Sequence, residues 1–263
     1  MPQISEEFER DAHLLADAAD AAILPYFRAA NLDASNKDAD GGFDPVTLAD
    51  REAEEAMRTV LARERPDDAI LGEEFGHQPG SSGYTWVLDP IDGTRAFICG
   101  TPTWGVLIAV NSGAAPLVGM IAQPHIRERF VGTPSGAYLL HDGRRRALEP
   151  RKSRVLDEAQ LLTTFPEIGS AEEKAAFDRV EGRVRLTRYG LDCYGYGLIA
   201  TGQVDLVIEA GLNAYDIQGP MAVIEAAGGV VTTWDGGPAE QGGRILAAGS
   251  REIWQNAMEL LNA

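Results

Sequence analysis

The segment Trp86-Val87-Leu88-Asp89-Pro90-Ile91-Asp92-Gly93-Thr94-Arg95 carries two carboxylates three residues apart, followed at once by a glycine and a hydroxyl. An apolar run delivers the acids, so they stand at a strand's end, and Gly93 lets the backbone approach a ligand closely. Backbone N–H groups at the start of a following helix suit a phosphate. No His or Cys lies nearby, and a donor set made of oxygens alone selects a hard cation such as Mg²⁺ over zinc. Two further acidic features can complete such a site: Gly72-Glu73-Glu74 upstream, and Asp216 at the start of a helix running from Ile217 to Ala227. Taken alone each has an ordinary reading, with Asp216 as a helix cap, Glu73 or Glu74 as solvated charge and Asp89-Pro90 as a turn.

The bulk composition bears on the same question. The chain has 263 residues and a formal charge of −17. That charge opposes binding to nucleic acid, which needs clustered Lys and Arg to displace counterions. It would also repel a phosphorylated metabolite unless bound divalent cations reversed the local field. Hydrophobic residues make up 44% and charged residues 24%, an ordinary globular composition, and no apolar run is long enough to span a bilayer. The acidic start, Met1 to Glu7, lacks the pattern of a secretory signal, so the expected setting is the cytoplasm. Cys99 and Cys193 are far apart in sequence and are expected to be buried, reduced thiols.

The elements that must position the acids follow from periodicity. Helical spacing of apolar residues predicts an amphipathic helix from Ser5 to about Ala30, and a second helix from Leu48 to Arg65 under a Thr47 cap, stopped by Pro66. Strands are expected over Tyr84–Leu88, Trp104–Val110, Leu117–Ala122, Arg129–Gly132 and Ala137–Leu140, in a mostly meandering sheet. Arg144-Arg145-Arg146 reads as a solvated turn. Beyond it the pattern alternates: strand Leu161–Thr164, helix Ala171–Val180, strand Val184–Thr187, helix Tyr194–Thr201, strand Val204–Glu209, then the helix at Asp216. Strands Gly229–Thr232 and Ile245–Gly249 and a helix from Glu252 to Leu261 close the chain. A soft boundary near Pro150 separates an N-terminal α+β half, residues 1–150, from a C-terminal α/β half, residues 151–263, of one compact unit.

The ordered set Lys37, Asp44-Pro45-Val46-Thr47-Leu48-Ala49-Asp50, Gly72-Glu73-Glu74, Trp86 to Thr94, and Ala214-Tyr215-Asp216 followed by Glu225-Ala226-Ala227-Gly228-Gly229 resembles the inositol monophosphatase superfamily along the whole chain. The resemblance implies a layered α/β/α/β/α sandwich of the inositol monophosphatase and fructose-1,6-bisphosphatase type, and a homodimer. It implies that Glu73, Asp89, Asp92 and Asp216, with the backbone carbonyl of Ile91, bind two or three Mg²⁺ ions. It further implies that Glu73 and Thr94 position an attacking water, that Asp50 holds the Thr94 hydroxyl, and that the N–H groups of Gly93 and Thr94 grip the phosphate. The implied reaction is hydrolysis of a small phosphate monoester. A catalytically idle binding protein is the rival from another class, and the intact acid set argues against it.

The metal motif cannot choose the ester. The stretch Arg188-Tyr189-Gly190-Leu191-Asp192-Cys193-Tyr194-Gly195-Tyr196, with Arg95-Ala96-Phe97-Ile98 and Pro102-Thr103-Trp104-Gly105, is similar to bacterial histidinol-phosphate phosphatases. Histidinol phosphate carries an amine and an imidazole, so Asp192 and Glu209 are the acids expected to pair with its positive charge. Inositol 1-phosphate, or a broad range of small phosphate esters, is the alternative substrate. Asp192 has a second reading as the cap of the following helix, and Tyr194 and Tyr196 have one as packing residues. His13, His77, His125 and His141 match no ligand spacing. The Asp40–Asp44 loop is longer than in many inositol enzymes, so Lys37 is left outside the catalytic set.

Overall fold

In a computed structural model the protein is described over residues 2–29, 34–36, 45–113, 115–152 and 155–263. Lys37 and the Asp40–Asp44 loop lie outside the described residues.

The chain opens with helix α1 (Pro2–Ile23), strands β1 (Ala34–Asn36) and β2 (Pro45–Thr47), and helix α2 (Leu48–Glu64). Then come β3 (Ala69–Gly72), β4 (Gly76–Gln78), β5 (Thr85–Asp92), the short helix α3 (Thr94–Cys99), β6 (Gly105–Asn111), β7 (Pro116–Gln123), β8 (Glu128–Thr133), β9 (Gly136–His141) and β10 (Arg144–Ala147). The rest is β11 (Gln160–Thr163), α4 (Ala171–Glu181), β12 (Leu186–Tyr189), α5 (Tyr194–Ala200), β13 (Leu206–Leu212), α6 (Ala214–Ala227), β14 (Val230–Thr233), β15 (Gly243–Ala248) and α7 (Arg251–Leu261).

Two sheets carry the architecture. The larger has the order β10-β9-β8-β7-β6-β5-β3-β4, an antiparallel meander from β5 to β10 with β3 parallel to β5 at the other end. The smaller has the order β12-β11-β13-β15-β14. The central strands of both are buried on both faces, so they read as continuous apolar runs, and period-2 alternation decides which core each side chain enters. In β6, Val106, Ile108 and Val110 face a core shared with Phe8, Leu15, Met57 and Leu61 of α1 and α2, while Leu107 faces the opposite core. In β15, Ile245 and Ala247 join that second core with Ile199, Ile217 and Ile224 of α5 and α6, and Leu246 and Ala248 face a third with Phe177 and Ile253 of α4 and α7. The layers therefore run α1/α2, large sheet, α5/α6, small sheet, α4/α7, which is the α/β/α/β/α sandwich.

Several local expectations need correction. Helix α1 ends at Ile23 rather than Ala30, since Pro25 removes a backbone donor and the chain leaves through turns to Arg28, which has φ 62°. Arg144 to Arg146 form exposed edge strand β10 rather than a turn. The turn is Asp142-Gly143, with φ of 47° and 76°, the two-residue Asp-Gly hairpin signal, which pairs Arg144 with His141. Strands β3 and β4 were not foreseen, and β12 begins two residues later than expected. Cys99 is exposed, and only Cys193 is buried.

Candidate active site

The acids converge because three chain segments end at one place. Strand β5 carries Asp89 and Asp92 on its last turn of chain, with an irregular register against β6 between them. That bulge breaks strict alternation and brings both carboxylates to the same side. The β3–β4 hairpin presents Glu73 beside β5, where the Glu73 N–H donates to the Leu88 carbonyl at 3.1 Å. Helix α6 brings Asp216 from the C-terminal part. Asn213 is its N-cap residue and Asp216 sits three positions inside, so the expectation of Asp216 as the cap is corrected. The Asn213 N–H donates to Asp216 Oδ2 at 2.6 Å, which fixes that carboxylate where it lines the cleft.

One oxygen from each of Asp89, Asp92 and Asp216 lies within 4.8 Å of the others. Oxygens on opposite sides of a hard divalent ion stand about 4 to 5 Å apart, so the cluster has the span of one such ion. Asp89 Oδ1 is buried and lacks a hydrogen-bond partner among the described residues. Burial pushes Asp89 well above the usual carboxylate range, reinforced by the charges of Glu73, Asp92 and Asp216. Asp92 is pushed up by burial and by Asp192 and Asp216, against a Cys193 N–H that donates to it at 2.6 Å. Asp216 rises to about 6, chiefly through burial. Carboxylates crowded out of water and facing one another call for positive charge, and oxygen-only donors suit a divalent metal ion.

Thr94 opens α3 behind Gly93, whose φ of 81° is left-handed. A side chain at Gly93 would also put its Cβ 2.8 Å from Asp192 Cγ, so glycine is required twice over. The Thr94 hydroxyl has two acceptors in reach, Asp50 Oδ1 at 3.3 Å and the Ile91 carbonyl at 3.1 Å. Asp50 is itself buried and locked by α2, because the Thr47 N–H and hydroxyl both donate to its Oδ2, at 2.8 and 2.6 Å.

These residues line a cleft of about 340 Å³ that also admits Asp192 and Glu209. Asp192 does not cap α5. Cys193 occupies that position, and Asp192 has φ 47° and accepts from the Thr103 hydroxyl at 3.1 Å. Glu209 is buried and accepts from Thr164 through its N–H, at 2.7 Å, and its hydroxyl, at 2.9 Å. Burial dominates those bonds and raises Glu209 to about 7. Every expected site residue except Asp50 lines the cleft, and Asp50 acts on it through Thr94.

Glu54 escaped the sequence reading. It is buried, paired with Arg58 at 2.8 Å, and accepts the N–H groups of Glu74, at 2.7 Å, and Phe75, at 3.2 Å. It therefore clamps the turn that carries Glu73. Its signal was an acid among Ala53, Met57 and Leu61 on the apolar side of α2. Thr164, Phe165 and Tyr215 also line the cleft and carried no motif. Of the two tyrosines expected to pack, Tyr194 bonds Glu128 at 2.9 Å, and Tyr196 is buried with its hydroxyl lacking a partner among the described residues.

Comparison with known proteins agrees with this geometry. Residues 5–263 match the inositol monophosphatase family model. The chain is 40% identical to the bifunctional phosphatase IMPL2, chloroplastic, of Arabidopsis thaliana, over 97% of this chain and 75% of that protein. It is 34% identical to a histidinol-phosphatase of Streptomyces coelicolor, over 95% of each chain. A solved inositol monophosphatase from Zymomonas mobilis superposes with a TM-score of 0.86 at 39% identity, covering 98% of each chain. With the five-layer sandwich and the clustered carboxylates, these matches show that the chain belongs to the inositol monophosphatase family, whose members are phosphatases that use divalent metal ions.

Proposed function

We propose that the protein hydrolyses L-histidinol phosphate to L-histidinol and phosphate with Mg²⁺, two or three ions per site. The observation that carries the reading is the shared cleft, in which the Asp89, Asp92 and Asp216 cluster is joined by two further acids, half-buried Asp192 and buried Glu209. Glu73, Asp89, Asp92, Asp216 and the Ile91 carbonyl are the residues that would hold the metal. The chemistry supplied when Mg²⁺ is bound is a lowered pKa for water and neutralisation of charge developing on the phosphate and the leaving oxygen.

The chain's own residues do the rest. The N–H groups of Gly93 and Thr94 orient the phosphate at the start of α3. Asp50 accepts a hydrogen bond from the Thr94 hydroxyl, which leaves the Thr94 oxygen lone pairs as an acceptor for the attacking water, with Glu73 as the second acceptor. Asp192 and Glu209 pair with the amine and imidazole of the leaving alcohol, where an uncharged polyol gains less. The similarity to histidinol-phosphatases supports this choice of ester, and the resemblance extends the reading to a homodimer.

The test is phosphate release by purified protein from histidinol phosphate, inositol 1-phosphate, fructose 1,6-bisphosphate and phosphoadenosine phosphate, each with Mg²⁺ or with chelator. Histidinol phosphate should give the highest kcat/KM, and every activity should vanish with chelator. A lead for inositol 1-phosphate would overturn the substrate assignment while leaving the reaction class in place.

A further inference from the structure

The cleft has one wall that phosphate chemistry does not need. Phe165, in the loop after β11, lines it with 44% of its surface exposed. An apolar ring at a polar cleft gives a polyol no hydrogen bonds, so it calls for a different ligand group. The loop that carries the ring is anchored, because the preceding residue, Thr164, donates two hydrogen bonds to Glu209, of 2.7 and 2.9 Å. The ring therefore stands beside a buried acid. Across the cleft mouth the guanidinium of Arg95, from α3, lies over the Phe165 face at 4.9 Å from its centroid. The same guanidinium's charge acts on Asp192. A flat cation already rests where an aromatic face and two acids meet.

We infer that Phe165 is a specificity-determining platform that takes a flat, cationic or heteroaromatic group of the leaving alcohol, in the seat over the ring where the Arg95 guanidinium lies. This rests on, and deepens, the histidinol-phosphate reading, since imidazole is such a group. A cation or ring on an aromatic face gains an amount that corresponds to about three- to tenfold in binding. Arg95 must turn out of the seat as the ligand enters, and its charge then moves away from Asp192 as the ligand's own positive charge replaces it.

The test uses inhibition by alcohols, read separately from turnover of histidinol phosphate. L-Histidinol and L-alaninol share an amine and an alcohol, and only the first has a ring. Hydrolysis of glycerol 2-phosphate by the full-length Mg²⁺ enzyme is the readout, in wild type, Phe165→Ala and Phe165→Tyr. In Phe165→Ala the inhibition constant of L-histidinol should rise about three- to tenfold and that of L-alaninol less than twofold, and Phe165→Tyr should restore the L-histidinol value to within twofold of wild type. Equal shifts for the two alcohols, or no shift for L-histidinol, would overturn the platform. Failure of the substrate reading is a distinct result: another ester leads in the phosphate-release panel, whatever the inhibition constants do.

Discussion

At the scale of single residues, the proposed function separates charge that would hold metal from charge that would choose the ester. Asp89 is buried with one oxygen lacking a partner, so replacing it with Asn removes a full ligand charge while adding little volume. Asp89→Asn should lower kcat by about a thousandfold or more, since metal charge stabilisation is worth several kcal/mol. Its circular dichroism spectrum should match that of wild type. Asp192→Ala should reduce kcat/KM for histidinol phosphate far more than for glycerol 2-phosphate, and equal losses would remove Asp192 from substrate choice. Glu209, raised to about 7 by burial, carries its charge above that pH and not below. The KM for histidinol phosphate should accordingly fall as pH rises through about 7, and Glu209→Gln should flatten that dependence.

At the scale of elements, the acids depend on clamps that sequence patterns show unequally. Thr47 and Asp50 form a capping box, legible from their spacing ahead of an apolar helix, and the same Asp50 reaches Thr94. Glu54 was not legible, because its partners Glu74 and Phe75 lie some 20 residues away on a hairpin whose strands are only three and four residues long. Removing one partner of a buried ion pair costs about 3 to 5 kcal/mol. Glu54→Ala should therefore lower stability by about that amount in urea unfolding, and a loss under about 1 kcal/mol would contradict the clamp.

A second clamp joins α1 to the large sheet. The Tyr138 hydroxyl donates to Glu9 at 2.6 Å, so its oxygen accepts from His13 Nε2 at 2.9 Å, and His13 Nδ1 faces Arg129 at 3.4 Å as an acceptor. Burial and then the Arg129 charge lower the His13 pKa, with Glu9 and Asp17 opposing and Arg145 assisting. The unfolded chain therefore takes the proton first, and this contribution to stability is complete above about pH 6.5 and lost as pH falls below it. Urea midpoints at pH 7.5 and 5.5 should differ less in His13→Gln than in wild type.

At the scale of the whole molecule, the fold class was readable because sequence order preserved the acid motifs, and short apolar runs separated by Gly or Pro marked most strands. What sequence could not carry was proximity. Asp216 reaches Asp89 and Asp92 because α6 is the middle layer, packed against the large sheet while joined to the smaller one. The Asp142-Gly143 hairpin was legible in principle, and the run of three arginines masked it. Among the described residues no helix is long and apolar enough to cross a membrane. A cation bound to acids from both parts of the chain should stabilise the whole fold. At a hundredfold excess over Kd the gain is about 2.7 kcal/mol, or a rise in Tm of about 5 to 10 °C for a chain of this size. Asp216→Asn should lose most of that rise, and an unchanged Tm on adding Mg²⁺ to wild type would contradict the shared site.

The most direct measurement is phosphate release from L-histidinol phosphate as Mg²⁺ is titrated into chelator-treated protein, wild type beside Asp89→Asn. Wild type should start without activity and rise to saturation with Mg²⁺, while the folded variant stays inactive at every concentration. Turnover that persists without metal, or near-normal activity in a folded Asp89→Asn protein, would contradict the metal-dependent phosphatase.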